Sequence, residues 1–167
     1  MTLIIDNGPE PIVANIETAT IENTNYRTTM WTGKNLQLTL MSIDSGHDIG
    51  LEVHDTHDQF LRIEQGLATV SFGVNKDDLR TFQAGISDAI FVPAGTWHNL
   101  ASVGGIPLKV YSIYAPPQHA HGTVHATKEA AEAAEAAVTA SIPAPDSDSV
   151  PAPITPPDEV VNSENSL

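Results

Sequence analysis

The side chains best suited to chemistry are Glu52, His54, Gln59 and His98. In Glu52-Val53-His54 a carboxylate and an imidazole stand two residues apart, and on a strand such residues project from the same face. Gln59 follows beyond the polar, turn-like run DTHD, where a returning strand would bring it to the same space. His98 is distant in sequence, after Pro93-Ala94-Gly95-Thr96-Trp97, at the start of a further strand. Four such groups converging from different strands on a barrel interior suit a divalent cation. Two neutral imidazoles with one carboxylate are also the donor types of the facial triad that leaves coordination positions open. Spacing alone carries the reading only partway, since histidines near strand ends are more often structural.

The elements that must position these groups are short. Residues 28–116 read as β segments separated by Gly, Asp and Asn, with apolar or β-branched runs at 36–43, 59–64, 67–74, 89–92 and 108–114. Several strands at roughly 8–12-residue spacing indicate an all-β sandwich or barrel. No long amphipathic helix interrupts them, which argues against an α/β fold. With Gln59 inward, Leu61 and Ile63 share its face while Phe60, Arg62 and Glu64 point the other way.

The segment Gly46, five residues, Glu52-Val53-His54, four residues, Gln59, six residues, Gly66 has the spacing of the first cupin motif. Pro93-Ala94-Gly95-Thr96-Trp97-His98 matches the centre of the second. The chain resembles a small single-domain cupin across residues 28–117, of the kind labelled mannose-6-phosphate isomerase-like. The resemblance implies a jelly-roll (double-stranded β-helix) barrel of roughly six to eight strands. It also implies one divalent metal ion (zinc, manganese, iron or nickel) held by Glu52, His54, Gln59 and His98. Glu52 stands where the motif has its first His and Gln59 where it has Glu, so one carboxylate remains among the four. Ser87 replaces a motif Gly, and Ser102 the final Asn.

Outside the barrel, residues 1–27 read as an N-terminal arm and 118–140 as a histidine-containing strap followed by an Ala-rich helix over 128–140. Thr127 is placed to cap that helix, which is expected to be solvated and to lie on the barrel surface. Residues 141–167 are rich in Pro, Ser and Asp and are expected to be disordered. His119, His121 and His125 form H-x-H-x-x-x-H, read as part of the strap rather than a second metal site, and His57 is read as a loop histidine. Tyr111, Tyr114 and Trp97 are assigned to packing, Arg62 to an ion pair.

The 167 residues carry 7 Lys and Arg against 21 Asp and Glu, a net charge of -14, which argues against nucleic acid or an anionic membrane as partner. Absence of Cys excludes disulfides, thiolate–zinc sites, iron–sulfur clusters and thiol catalysis. No apolar run approaches the ~20 residues of a membrane span, and residues 1–10 lack a secretory pattern, so a cytoplasmic protein is expected. The expected partner is a small-molecule ligand. The resemblance adds a homodimer, with Phe60 and Phe72 on the outer face as candidates for its interface. The leading functional expectation is a metal-dependent enzyme isomerising or epimerising a small sugar-like, polyol or acid substrate, its general base unidentified. The alternatives are an Fe(II)-dependent dioxygenase and a binding or sensing cupin without turnover.

Overall fold

The computed structural model describes residues 4–141. Strands β1 (Arg27–Thr32), β2 (Gln37–Ile43), β3 (Asp58–Gln65), β6 (Ala89–Val92), β8 (Leu108–Ala115) and β9 (Val124–His125) form one sheet in the order β6-β3-β8-β2-β1-β9. Strands β4 (Ala68–Asn75), β5 (Asp78–Ala84) and β7 (Trp97–Ser102) form a second, ordered β5-β4-β7. All pairings are antiparallel. The result is a cupin jelly roll.

Alternation along the strands divides the larger sheet into two faces. Leu38 and Leu40 of β2, Met30 of β1 and Tyr111 and Ile113 of β8 point outward, where they pack with Ile16 and Ala19 of a short helix, α1 (Ile16–Glu22). The N-terminal arm therefore contains a helix, started by Asn15, whose Oδ1 accepts the Thr18 N–H at 3.0 Å. Phe60 also lies on the outer face, its ring 5.1 Å from Phe91 and 6.0 Å from Tyr111. Phe72 does not share that face, contrary to expectation. It packs against the barrel core, because its β4 position continues the inward series of Ala68 and Val70.

The inward face of the larger sheet forms cross-strand rows. Ile43 pairs Leu108; Met41 and Ile63 both pair Val110; Thr39 and Leu61 both pair Ser112; Gln37 and Gln59 both pair Tyr114. On β1, Arg27 pairs Met41 and Thr29 pairs Thr39. The interior thus changes from apolar to polar along three neighbouring strands.

Helix α2 (Lys128–Ser141) begins at Thr127, whose Oγ1 accepts the Ala130 N–H at 3.3 Å. It is more than a solvated surface helix. Ala131 is buried in the barrel core, Lys128 Nζ binds Asp48 at 2.5 Å, and Glu135 pairs with Arg27 of β1. The segment preceding it is pinned to the barrel: Gln37 bonds both the N–H and the carbonyl of His119, and Asp6 Oδ2 accepts from Gly122 and Thr32. The tail expected to be disordered lies, from residue 142 on, outside the described residues.

Two turn positions impose a backbone requirement. Gly66 has φ +90°, where an L side chain is strained, and a Cβ there would stand 3.1 Å from the Leu108 Cα, so the neighbouring strand would have to give way. Ser87 keeps the left-handed conformation of the glycine it replaces in the motif, at φ 73°.

Candidate metal centre

Glu52, Val53 and His54 do not form a regular strand, which corrects the sequence expectation. Their segment runs antiparallel to β7 through isolated bridges, Asp48 to Ala101 and Glu52 to His98. The Glu52 N–H donates to the His98 carbonyl at 3.0 Å, and the His98 N–H returns the bond at 2.9 Å. Residues paired in this way present their side chains to the same face, so one bridge brings the Glu52 carboxylate and the His98 imidazole together. His54 is fixed separately, its carbonyl accepting the N–H of Gly95 at 2.9 Å.

The donor atoms of Glu52, His54 and His98 all lie within 4.8 Å of one another. Glu52 Oε1 stands 3.3 Å from Nε2 of His54 and 3.3 Å from Nε2 of His98. Neither nitrogen forms a hydrogen bond, although both are buried. Ligands at about 2.1 Å from a shared ion lie about 3.0–3.4 Å apart in octahedral or tetrahedral arrangements. The spacing fits a cation better than it fits a hydrogen-bonded cluster. His98 Nδ1 lies 3.0 Å from the Thr96 carbonyl, which can only accept, so Nδ1 carries the proton and the Nε2 lone pair faces the site.

Gln59 is 3% exposed on β3. Its Nε2 donates to Ser112 Oγ at 2.9 Å, while Oε1 is buried without a partner. The amide is therefore oriented by its nitrogen and offers a free oxygen. Tyr114, directly beside Gln59 in the sheet, sets its ring edge-to-face with His54 at 5.7 Å. Burial pushes its phenol up to about 12, so it stays protonated.

The other candidates are not among the three converging donors. Tyr111 packs on the outer face. Arg62 pairs with Glu64, whose side chain is buried. His57 is tied by Nδ1 to Thr56 and by Nε2 to the Pro117 carbonyl, so its nitrogens are engaged away from the triad. His121 reaches the Gly8 carbonyl at 2.9 Å. His119 stacks edge-to-face on Tyr114 at 5.2 Å, and His125 pairs with Arg27 in the sheet. Among the described residues no second group of three His or carboxylates gathers at ligand distance.

Sequence reasoning missed Arg27, which is 4% exposed. The available signal was a single cation at the head of an otherwise uncharged strand, RTTMWT. Only strand register shows that it points inward.

No family model matches the chain. The uncharacterized protein YrkC of Bacillus subtilis (strain 168) is 58% identical over 135 residues, covering 80% of this chain and 72% of that protein. The crystal structure of BH2720 from Bacillus halodurans matches with TM-score 0.77 at 53% identity, over 78% of this chain and 99% of that one. KdgF from Halomonas sp., at 18% identity and TM-score 0.50 over 70% of this chain and 96% of its own, shares the fold.

Proposed function

The chain belongs to the family of YrkC and BH2720, built on the cupin fold, and from that premise we propose that it is a metal-dependent cupin acting on a small polar molecule. Glu52, His54 and His98 hold one divalent cation, and Gln59 supplies a fourth donor through Oε1. The observation that carries this reading is the convergence of two unpartnered Nε2 atoms on one carboxylate oxygen.

The reaction class we favour is isomerisation or epimerisation of a sugar-like, polyol or acid substrate. A bound divalent cation with open positions would polarise a substrate carbonyl and stabilise negative charge on its oxygen. The chain's own groups would orient the substrate and exclude water. Tyr114, protonated and buried, can hydrogen-bond a substrate oxygen, and the unpartnered Thr39 hydroxyl is a further polar contact in the interior. His119 has its pKa pushed down to about 3 by burial and by Arg27, so it is neutral at working pH and a weak base.

The donor set also supports a second reading. Two histidines and one carboxylate with open positions are the ligands of non-haem iron oxygenases.

Metal analysis by mass spectrometry, on protein purified without a metal-binding tag, separates these readings. Near-stoichiometric metal is expected, with affinity reduced at least about 100-fold in His98→Ala and in His54→Ala. Zinc or manganese favours isomerisation, whereas iron with iron-dependent oxygen uptake favours the second reading. Metal without turnover points to a binding protein, and no metal after reconstitution sinks both enzyme readings.

A further inference from the structure

Beyond the metal centre, further buried polar atoms lack partners. Arg27 Nη1 reaches out to Glu135 Oε1 at 3.1 Å, and the guanidinium lies over the Tyr26 ring at 5.5 Å from its centroid. Its Nε is buried and unpartnered. His119 Nε2 and Thr39 Oγ1 are likewise buried without partners. Each such group is costly to bury unless something completes it.

Arg27 points into the barrel, its β1 position pairing with the core residue Met41, and His119 adjoins the triad through Tyr114. Tyr114 stacks edge-to-face on His54 on one side and on His119 on the other. The Tyr26 hydroxyl lies 3.4 Å from the Ile49 carbonyl, three residues before Glu52, which sets the start of β1 beside the metal-bearing segment. Arg27 is close enough to Tyr114 and His119 to influence their ionisation, and Glu52 acts in turn on Arg27. His119 is not a loose loop residue, since Gln37 holds its backbone at 2.8 and 2.9 Å.

We propose that Arg27, with His119, forms an anion-binding pole of the barrel interior, and that the molecule taken at the metal centre is a small hydroxy or oxo carboxylate whose carboxyl group lies on Arg27. This deepens the proposed function and rests on it for the metal-bound end of the ligand. Charge balance supports the choice of an acid over a neutral sugar. With a divalent cation beside Glu52, the interior carries excess positive charge from the ion and from Arg27. Glu135, whose side chain is 63% exposed, offsets Arg27 only weakly because water screens it. A carboxylate accepts two parallel bonds from a guanidinium edge, a fork that a hydroxyl does not match. The chain as a whole is strongly acidic, so capture of an anion requires such a local pole.

The test uses the full-length, tag-free protein, metal-loaded and metal-free, with glycolate, lactate and malate, each against its neutral amide. Calorimetric affinity is read alongside thermal shift, and metal content is measured on the same samples. At least one acid should bind more than about tenfold tighter than its amide, and Arg27→Gln should erase that preference. Arg27→Lys should retain only part of it. Glu135→Gln, at an exposed position and expected to fold, should raise acid affinity about 2–5-fold by releasing Arg27 from its outer partner. The inference is overturned if no acid outbinds its amide, if the preference survives Arg27→Gln, or, should that variant not fold, if Glu135→Gln leaves acid affinity unchanged. His98→Ala separates the two poles. It should remove the metal while leaving the acid-over-amide preference in the metal-free protein, so failure of the metal reading and failure of the anion pole are seen independently.

Discussion

The two ends of the barrel interior differ sharply although the same strands build both. At one end Ile43, Met41, Ile63, Leu108 and Val110 fill the space with buried apolar side chains. Two to four residues further along β2, β3 and β8, the inward positions become Thr39, Gln37, Gln59 and Ser112, and buried atoms without partners begin to accumulate. A dry end with every side chain packed stabilises the fold. A polar end with unpartnered buried atoms destabilises it unless something completes them. The change falls at the Ser112 row on β2 and β8 and one row later on β3, where Leu61 still faces Ser112, so neighbouring strands share it rather than one residue.

The most severe way to break this contrast is to empty the dry end. Ile63 is fully buried between the sheets. Ile63→Ala should cost about 2–5 kcal/mol in urea unfolding, from lost transfer energy plus the cavity left behind. Metal binding by the fraction still folded should be unchanged. A cost under about 1 kcal/mol would show that the dry end is loosely packed and the contrast weaker than described.

A smaller effect is expected at the tie between the arm and the strap. The Asp6 side chain is 1% exposed and accepts from Thr32 at 2.5 Å, Gly8 at 3.0 Å and Gly122 at 3.1 Å. Burial would raise its carboxyl, but these donors together hold it below the usual carboxylate range. Its stabilisation is therefore complete above the unfolded pKa of about 3.9 and is lost as pH falls through the depressed folded value. Asp6→Asn should remove about 1–3 kcal/mol at neutral pH and flatten the acid side of the stability profile. An acid limb of unchanged slope would show that the carboxylate charge is not what holds the strap.

Thr39→Val sharpens the comparison by carrying dry-end chemistry one row into the polar end. The lost hydroxyl has no partner, so thermal unfolding of the metal-free protein should show a gain of up to about 1 kcal/mol. Affinity for a ligand in the interior should fall. Lower stability would mean that the hydroxyl is already satisfied by ordered water.

The dry end was the more legible of the two in the sequence. Apolar runs marked β2, β3, β4, β6 and β8 to within about two residues. Strand β5, DLRTFQA, carries an almost wholly exposed pattern, and β1 begins with the inward polar residues Arg27 and Thr29, so neither shows apolar alternation. The motif spacing selected Glu52, His54 and His98, which the structure brings together, but it suggested a strand where there is one bridge. Arg27 was not legible because a lone cation in an uncharged run reads as surface. Its inward direction depends on pairing with Met41 across the sheet.

Ser87 gives the smallest test, at the turn that closes the dry end. Its N–H donates to the Ile63 carbonyl at 2.8 Å, which holds the residue at φ 73°. An L-residue in that conformation costs about 1–2 kcal/mol relative to the right-handed region, and glycine is free of that penalty. Glycine also leaves the unfolded chain with more freedom to lose, which offsets roughly 0.4–1 kcal/mol. Ser87→Gly should therefore raise the urea midpoint by a net amount equivalent to about 0.5–1 kcal/mol. Against that gain stands one side-chain contact, Arg62 Nη2 to Ser87 Oγ at 3.4 Å, long enough to contribute little. A midpoint that falls instead would assign Ser87 a role in orienting Arg62 toward the buried Glu64, and the dry end would then depend on a polar clasp at its rim.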